Sequence, residues 1–133
     1  MNIGQAAKHS SISAKTIRYY ESIGLIAPAR RTESGYRTYS ETDVQTLRFI
    51  HHARNLGFSV KEVSMLLDLW RNQKRASADV KALATAHIAA VDRKIRELEH
   101  MRDTLVDLTH RCHGDDRPEC PILEGLAGET VNA

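Results

Sequence analysis

Apolar positions along the chain change their period several times, and each change marks an element. Ile3, Ala6 and Ala7 share one helical face, and the polar run His9, Ser10, Ser11 ends it. Ser13 is placed as the N-cap of a second short helix, in which Ile17 and Tyr20 pack inward with Ala14 nearby. Lys15, Arg18 and Tyr19 then fall on the free face. Ser34-Gly35 is a turn signal, with Arg30 and Arg31 before it and Tyr36, Arg37 and Tyr39 after it, so residues 30–39 predict a small β-hairpin. Ser40 caps the next helix, whose apolar positions are Val44, Leu47, Ile50 and Leu56, and Gly57 stops it. Ser59 and Glu62 form a capping box for a further helix with the face Val63, Leu66, Leu67 and Trp70.

Residues 77 to about 109 contain neither Gly nor Pro. Ala84, Val91, Leu98 and Leu105 recur every seven residues, and Ile88 and Ile95 interleave with them until Arg102 interrupts. That is an a/d seam over about four heptads, and a helix carrying it needs a partner. Ser77 is placed as its N-cap, with Asp79 in the first turn to suit the helix dipole. After Cys120, the segment 121–128 fits one helical turn opened by Pro121. Ile122, Leu123 and Leu126 are expected to dock it as a lid over the loop before it. Residues 129–133 are expected to form a loose tail.

The pattern predicts a mainly α fold in three parts. Residues 1–70 form a winged helix-turn-helix with two bracing helices, 71–110 a linker and dimerisation helix, and 111–133 a loop, a short helix and a tail. Charge supports the division. Residues 1–60 carry eight Lys/Arg against four Asp/Glu, while the rest carry eleven against thirteen, so the basic head is joined to an acidic body. Arg and Tyr at the hairpin tip suit phosphate and sugar, and Arg54 at the end of a bracing helix can reach a phosphate. His9, His51, His52, His87 and His100 read as surface or packing residues. No catalytic constellation is visible.

The start of the chain lacks a signal-like apolar stretch, and no run reaches membrane-spanning length, so a cytoplasmic protein without a membrane partner is expected. In that compartment thiols stay reduced. The chain's two cysteines, Cys112 and Cys120, lie in one polar loop with seven residues between them. Three chemistries fit: a two-coordinate monovalent ion such as Cu(I), a zinc site completed by His110 or His113, and a reversible disulfide. The seven-residue spacing is wider than the two to four residues usual between paired zinc cysteines.

The stretch "IRYYESIGLIAPARRTESGYRTYSETDV" resembles the N-terminal domain of the MerR family of transcription regulators, without a gap over about residues 1–70. The resemblance implies a homodimer on a palindromic double-stranded promoter element, acting with RNA polymerase. It matches Lys15, Arg18 and Tyr19 to recognition-helix contacts, Tyr36 and Arg37 to the wing, and Arg54 to a phosphate contact. "RCHGDDRPECPILEGLAG" resembles the metal loop of the copper-responsive CueR/HmrR branch, which implies that Cys112 and Cys120 grip one Cu(I), with Ag(I) or Au(I) able to substitute. Divalent-metal members of the family carry a third cysteine where this chain has Ser77. The electropositive start of the long helix can offset the net negative charge of a two-thiolate Cu(I) unit, with Lys81 in its first turn as a helper, so Ser77 and Lys81 are expected as outer residues of the metal site.

Overall fold

The computed structural model describes residues 1–128. Among them run α1 (Ile3–Ser10), α2 (Ala14–Ser22), β1 (Arg30–Arg31), β2 (Arg37–Thr38), α3 (Glu41–Asn55), α4 (Val60–Arg71), α5 (Ser77–Arg111) and α6 (Pro121–Leu126). The loose tail expected at residues 129–133 lies outside the described residues. The mainly helical class is as read from the sequence. The chain divides into two compact units, one from Met1 to Leu83 and the other from Ala84 onward.

The first unit is organised by its caps. Asn2, Ser13, Ser40 and Ser59 each accept a backbone N–H with the side-chain oxygen, and at Asn2, Ser40 and Ser59 the third helical residue returns the bond. Each cap satisfies an orphan helix donor, worth about 0.5–2 kcal/mol. The helices so started bury Ala6, Ile17, Tyr20, Val44, Leu47, Ile50, Val63 and Leu67 in one core. A fully buried aliphatic side chain there contributes about 1.5–3 kcal/mol. Tyr39 closes the core beside the hairpin, and its backbone pairs with Met1, the Tyr39 N–H donating to Met1 O at 2.7 Å. Arg48 ties α3 to the end of α1 by donating from Nε to His9 O at 3.0 Å.

Two expectations for this unit change. Leu56 is 67% exposed and does not join the core. It occupies the C-cap of α3, where the chain is already turning toward Gly57 at φ +88° and the 3.6-residue period has lapsed. Trp70 stays partly exposed, and its ring stacks on Phe49 with centroids 4.5 Å apart and planes 9° from parallel.

The long helix α5 has 35 residues, about 52 Å at 1.5 Å per residue. It begins at Ser77, so the cap position falls to Ala76, and Ser77 is not the N-cap. Asp79 instead donates its N–H to Ala76 O at 3.1 Å, as the first turn closes tightly. Ile88, Val91, Ile95, Leu98 and Leu105 stand exposed along the helix, so the heptad seam is uncovered within one chain.

In the second unit α6 packs on α5 through a contact other than the expected one. Leu123 and Leu126 are 65% and 72% exposed and do not dock. Leu108 is 6% exposed, and a Cβ added at Gly125 would stand 3.0 Å from Leu108 Cδ2. The missing side chain of Gly125 lets α6 approach, which a search for apolar anchors passes over.

Candidate nucleic-acid interface and thiol loop

The basic face read from the sequence forms as expected on α2. Ile17 and Tyr20 are buried, while Lys15, Arg18 and Tyr19 are exposed on the helix's outer side. The hairpin follows. Arg30 faces Thr38 and Arg31 faces Arg37 across an antiparallel pair. Its turn is held by Thr32 N–H donating to Tyr36 O at 2.8 Å and Gly35 N–H donating to Thr32 O at 2.9 Å. Gly35 has φ +86°, which disfavours any residue with a Cβ. Arg31 Nη1 braces the turn by donating to Gly35 O at 2.8 Å. Tyr36, at the tip, is 73% exposed.

Two of the predicted contacts already have protein partners. Arg37 donates from Nε to Glu21 Oε2 at 3.2 Å. Arg54 donates from Nη1 to Phe58 O at 2.7 Å, which secures the turn after α3. Glu21 also accepts from the Tyr39 hydroxyl at 2.6 Å through Oε1. Burial pushes the Tyr39 hydroxyl well above the ordinary phenol range, and the hydrogen bond to Glu21 and the charge of Glu21 push the same way, so Tyr39 remains a donor.

The sequence reading missed Glu21. The available signal was a conflict: a carboxylate in the last turn of α2 sits at the negative end of the helix dipole, where it is unfavourable unless partnered.

The two thiols come together. Cys112 follows α5 directly, and its N–H donates to Leu108 O and Thr109 O, each at 3.2 Å. Cys120 is the N-cap of α6. Between them Asp115 organises the loop, accepting from the Arg117 N–H at 2.9 Å and from Arg117 Nε at 2.8 Å. The sulfurs are 3.8 Å apart. Both cysteines are free. With metal–sulfur bonds of about 2.3 Å, one ion spans sulfurs up to about 4.6 Å apart, so a single thiophilic ion fits between them. The backbone N–H groups at the start of α6, that of Leu123 foremost, hold the Cys120 thiol below its ordinary value without reaching hydrogen-bond geometry. Desolvation opposes this, while the contact with Cys112 and the Ile122 N–H assist.

His110 and His113 are exposed, and among the described residues no group of three His, Cys, Asp or Glu is gathered to hold an ion. Ser77 and Lys81 are exposed at the start of α5. Among the described residues no helix is long and apolar enough to cross a membrane.

Residues 1–70 match the family described as MerR HTH family regulatory protein, and residues 44–108 match that described as MerR, DNA binding. The chain is 60% identical over 127 residues to Heavy metal-dependent transcription regulator 2 of Rhizobium meliloti, covering 96% of this chain and 86% of that protein. It is 41% identical over 128 residues to the HTH-type transcriptional regulator CueR of Salmonella typhimurium, covering 96% and 93%. Among solved structures, the lead(II) complex of a transcription regulator from Ralstonia metallidurans superposes with a TM-score of 0.78 at 36% identity, over 95% of this chain and 98% of that one. The promoter-DNA complex of HiNmlR, a MerR family regulator lacking the sensor domain, matches with a TM-score of 0.60 at 25% identity, covering 83% of each chain.

Proposed function

The chain belongs to the MerR family of helix-turn-helix regulatory proteins, and from that premise we propose that it is a transcription activator answering to Cu(I), with Ag(I) or Au(I) as substitutes. As a heavy-metal-responsive regulator it binds DNA and is not an enzyme. The observation that carries the finer reading is that no third His, Cys, Asp or Glu is gathered beside the two thiols among the described residues. Soft thiolates select Cu(I), and a monovalent ion is satisfied by two of them, whereas structural zinc takes four ligands.

The domain plan follows. Residues 1–70 read DNA, with Lys15, Arg18 and Tyr19 on the reading helix, Tyr36 and Arg37 on the wing, and Arg54 reaching a phosphate beside its bond to Phe58. Residues 71–110 pair two copies along the α5 seam, and residues 111–133 hold the metal. The dimer works in the cytoplasm on a palindromic promoter. Cys112 and Cys120 bind the ion; Lys81 and Ser77 lie at the opposite end of the 35-residue α5 from the thiols, so those that border the site come from the second copy of the chain in the proposed dimer. Cys112 and Cys120 would hold the ion, and its affinity for soft sulfur would restrain the loop that the two cysteines anchor. The dimer then favours a state in which its two heads bend and untwist the promoter so that RNA polymerase engages it.

The test is transcription from the protein's own promoter with Cu(I), Ag(I) and Zn(II) titrated separately. Copper and silver should induce, and zinc should not. Induction by zinc at the same free concentration as copper overturns the two-thiol reading. Ser77→Cys should extend the response to zinc by adding a thiolate from the second copy's α5. Anaerobic mass measurement with one equivalent of Cu(I) separates metal sensing from a redox switch: a reduced protein with one ion bound supports the first, and a disulfide in the active species supports the second.

A further inference from the structure

Glu21 joins the two parts of the head that were read separately from the sequence. It sits in the last turn of α2, and its carboxylate takes the Tyr39 hydroxyl on one oxygen and Arg37 Nε on the other. Tyr39 and Arg37 belong to the hairpin strand β2 and the residue after it. The Glu21 side chain is 10% exposed and that of Arg37 is 29% exposed. A carboxylate this covered, at the unfavourable end of a helix, is held there by its two donors.

The geometry of Arg37 gives that contact a use. A guanidinium is a planar fork with five donors. Glu21 occupies the Nε, and the two terminal nitrogens of Arg37 have no hydrogen-bond partner among the described residues. A guanidinium pinned in this way keeps its orientation while its free donors remain for a second anion. The side chain therefore does not have to be ordered when a phosphate arrives.

We infer that Glu21 is a positioning residue for DNA binding: it orients Arg37 so that the terminal nitrogens meet a backbone phosphate, and it fixes the wing to the reading helix. Glu21 itself does not touch DNA, because its negative charge would repel a phosphate brought against it. The inference rests on the reading of Arg37 as a wing phosphate contact.

The experiment uses the full-length metal-free dimer and a fluorescent duplex carrying the palindrome that the wild-type protein enriches from a random library. Affinity is measured by anisotropy across a salt series for wild type, Glu21→Gln, Arg37→Ala and the double variant. Folding and dimer state are checked by circular dichroism and sedimentation. Glu21→Gln should weaken binding about 10-fold, the scale of one charge-assisted hydrogen bond. It should also lower the slope of log K against log salt by about 0.9 for each phosphate that the protein no longer neutralises. Arg37→Ala should give the same slope change, and the double variant should be no weaker than Arg37→Ala alone, because both act through one interaction. A merely structural Glu21 would cost stability and leave the salt slope in place. If Glu21→Gln fails to fold, Glu21→Asp keeps the charge but withdraws the carboxylate by one methylene, and it should show the same fall in slope. If Arg37→Ala lowers the slope while the folded Glu21 variant keeps affinity and slope, or binds more tightly, the positioning role is overturned and the wing contact stands. If Arg37→Ala leaves the slope unchanged, the phosphate reading of Arg37 falls and the inference falls with it.

Discussion

Tyr39 shows how much one side chain can carry in a head this small. Its ring closes the core, its backbone pairs with Met1, and its hydroxyl donates to Glu21 at 2.6 Å. Tyr39→Phe keeps the ring and removes the donor, leaving Glu21 with Arg37 alone. A hydrogen bond to a charged group contributes about 1.5–3 kcal/mol, so the variant should lose about that much stability in urea unfolding at neutral pH. The pH dependence has a definite sign. The folded hydroxyl is held above its unfolded value, so the folded state keeps the proton longer, and the stability it contributes is fully present below the unfolded value of about 10. Above that pH the wild type should lose stability faster than Tyr39→Phe, and the gap between them should narrow. A gap that stays constant from neutral pH into the alkaline range contradicts the buried-donor account. The caps Ser13, Ser40 and Ser59 were legible in the sequence because a cap and its partner lie within three residues. Glu21 was not, because its two donors are 16 and 18 residues away and only the fold brings them to it.

At the scale of elements, periodicity was read well wherever the element is regular. The seam of α5 lies on one stripe, and its large apolar members are exposed in a single chain, as are Met101 and Val106 beside it. Reading failed at element ends, where the period stops and backbone geometry decides. Leu56 continued the helical pattern on paper but falls on the C-cap of α3, and Ser77 had the chemistry of a cap but stands one residue inside the helix. Leu123 and Leu126 looked like anchors for α6, yet the close approach is made by Gly125 on Leu108. The uncovered stripe carries a prediction of its own. Leu98 is 52% exposed in the single chain and lies at the middle of the seam. Burying such a side chain is worth about 1.5–3 kcal/mol, and the twofold dimer buries two. Leu98→Glu replaces both with carboxylates and should raise the dimer dissociation constant at least 100-fold, read by sedimentation at micromolar concentration. The variant should keep its helix content, since Glu is a good helix former. An unchanged dimer would mean that the copies meet on some other face.

Across the whole molecule, chemistry is segregated along the chain. The exposed basic and aromatic groups proposed to meet DNA lie between Lys15 and Arg54, in the unit from Met1 to Leu83. The two thiols lie in the unit from Ala84 onward, where Cys112 is held by local bonds to Leu108 and Thr109. That separation was visible in the sequence as a charge shift and a polar cysteine loop. The 3.8 Å between the sulfurs was not, because it depends on how the loop closes. The separation makes a direct prediction for Cys112→Ser and Cys120→Ser. Each substitution replaces a soft donor with a hard hydroxyl, so Cu(I) binding should collapse, by at least 1000-fold in competition with a chelator. The head is untouched, so metal-free DNA affinity and its salt dependence should match wild type within about twofold, as expected for distant sites without shared partners. Both measurements are needed on the same preparation, gel-shift titration for DNA and anaerobic chelator competition for metal. Loss of DNA affinity in the metal-free variants would mean that the thiol loop supports the head even without an ion, and the division of labour would fail. Retained Cu(I) affinity in one variant would mean that the ion rests on one thiolate and a donor outside the pair, and the two-sulfur site would have to be redrawn.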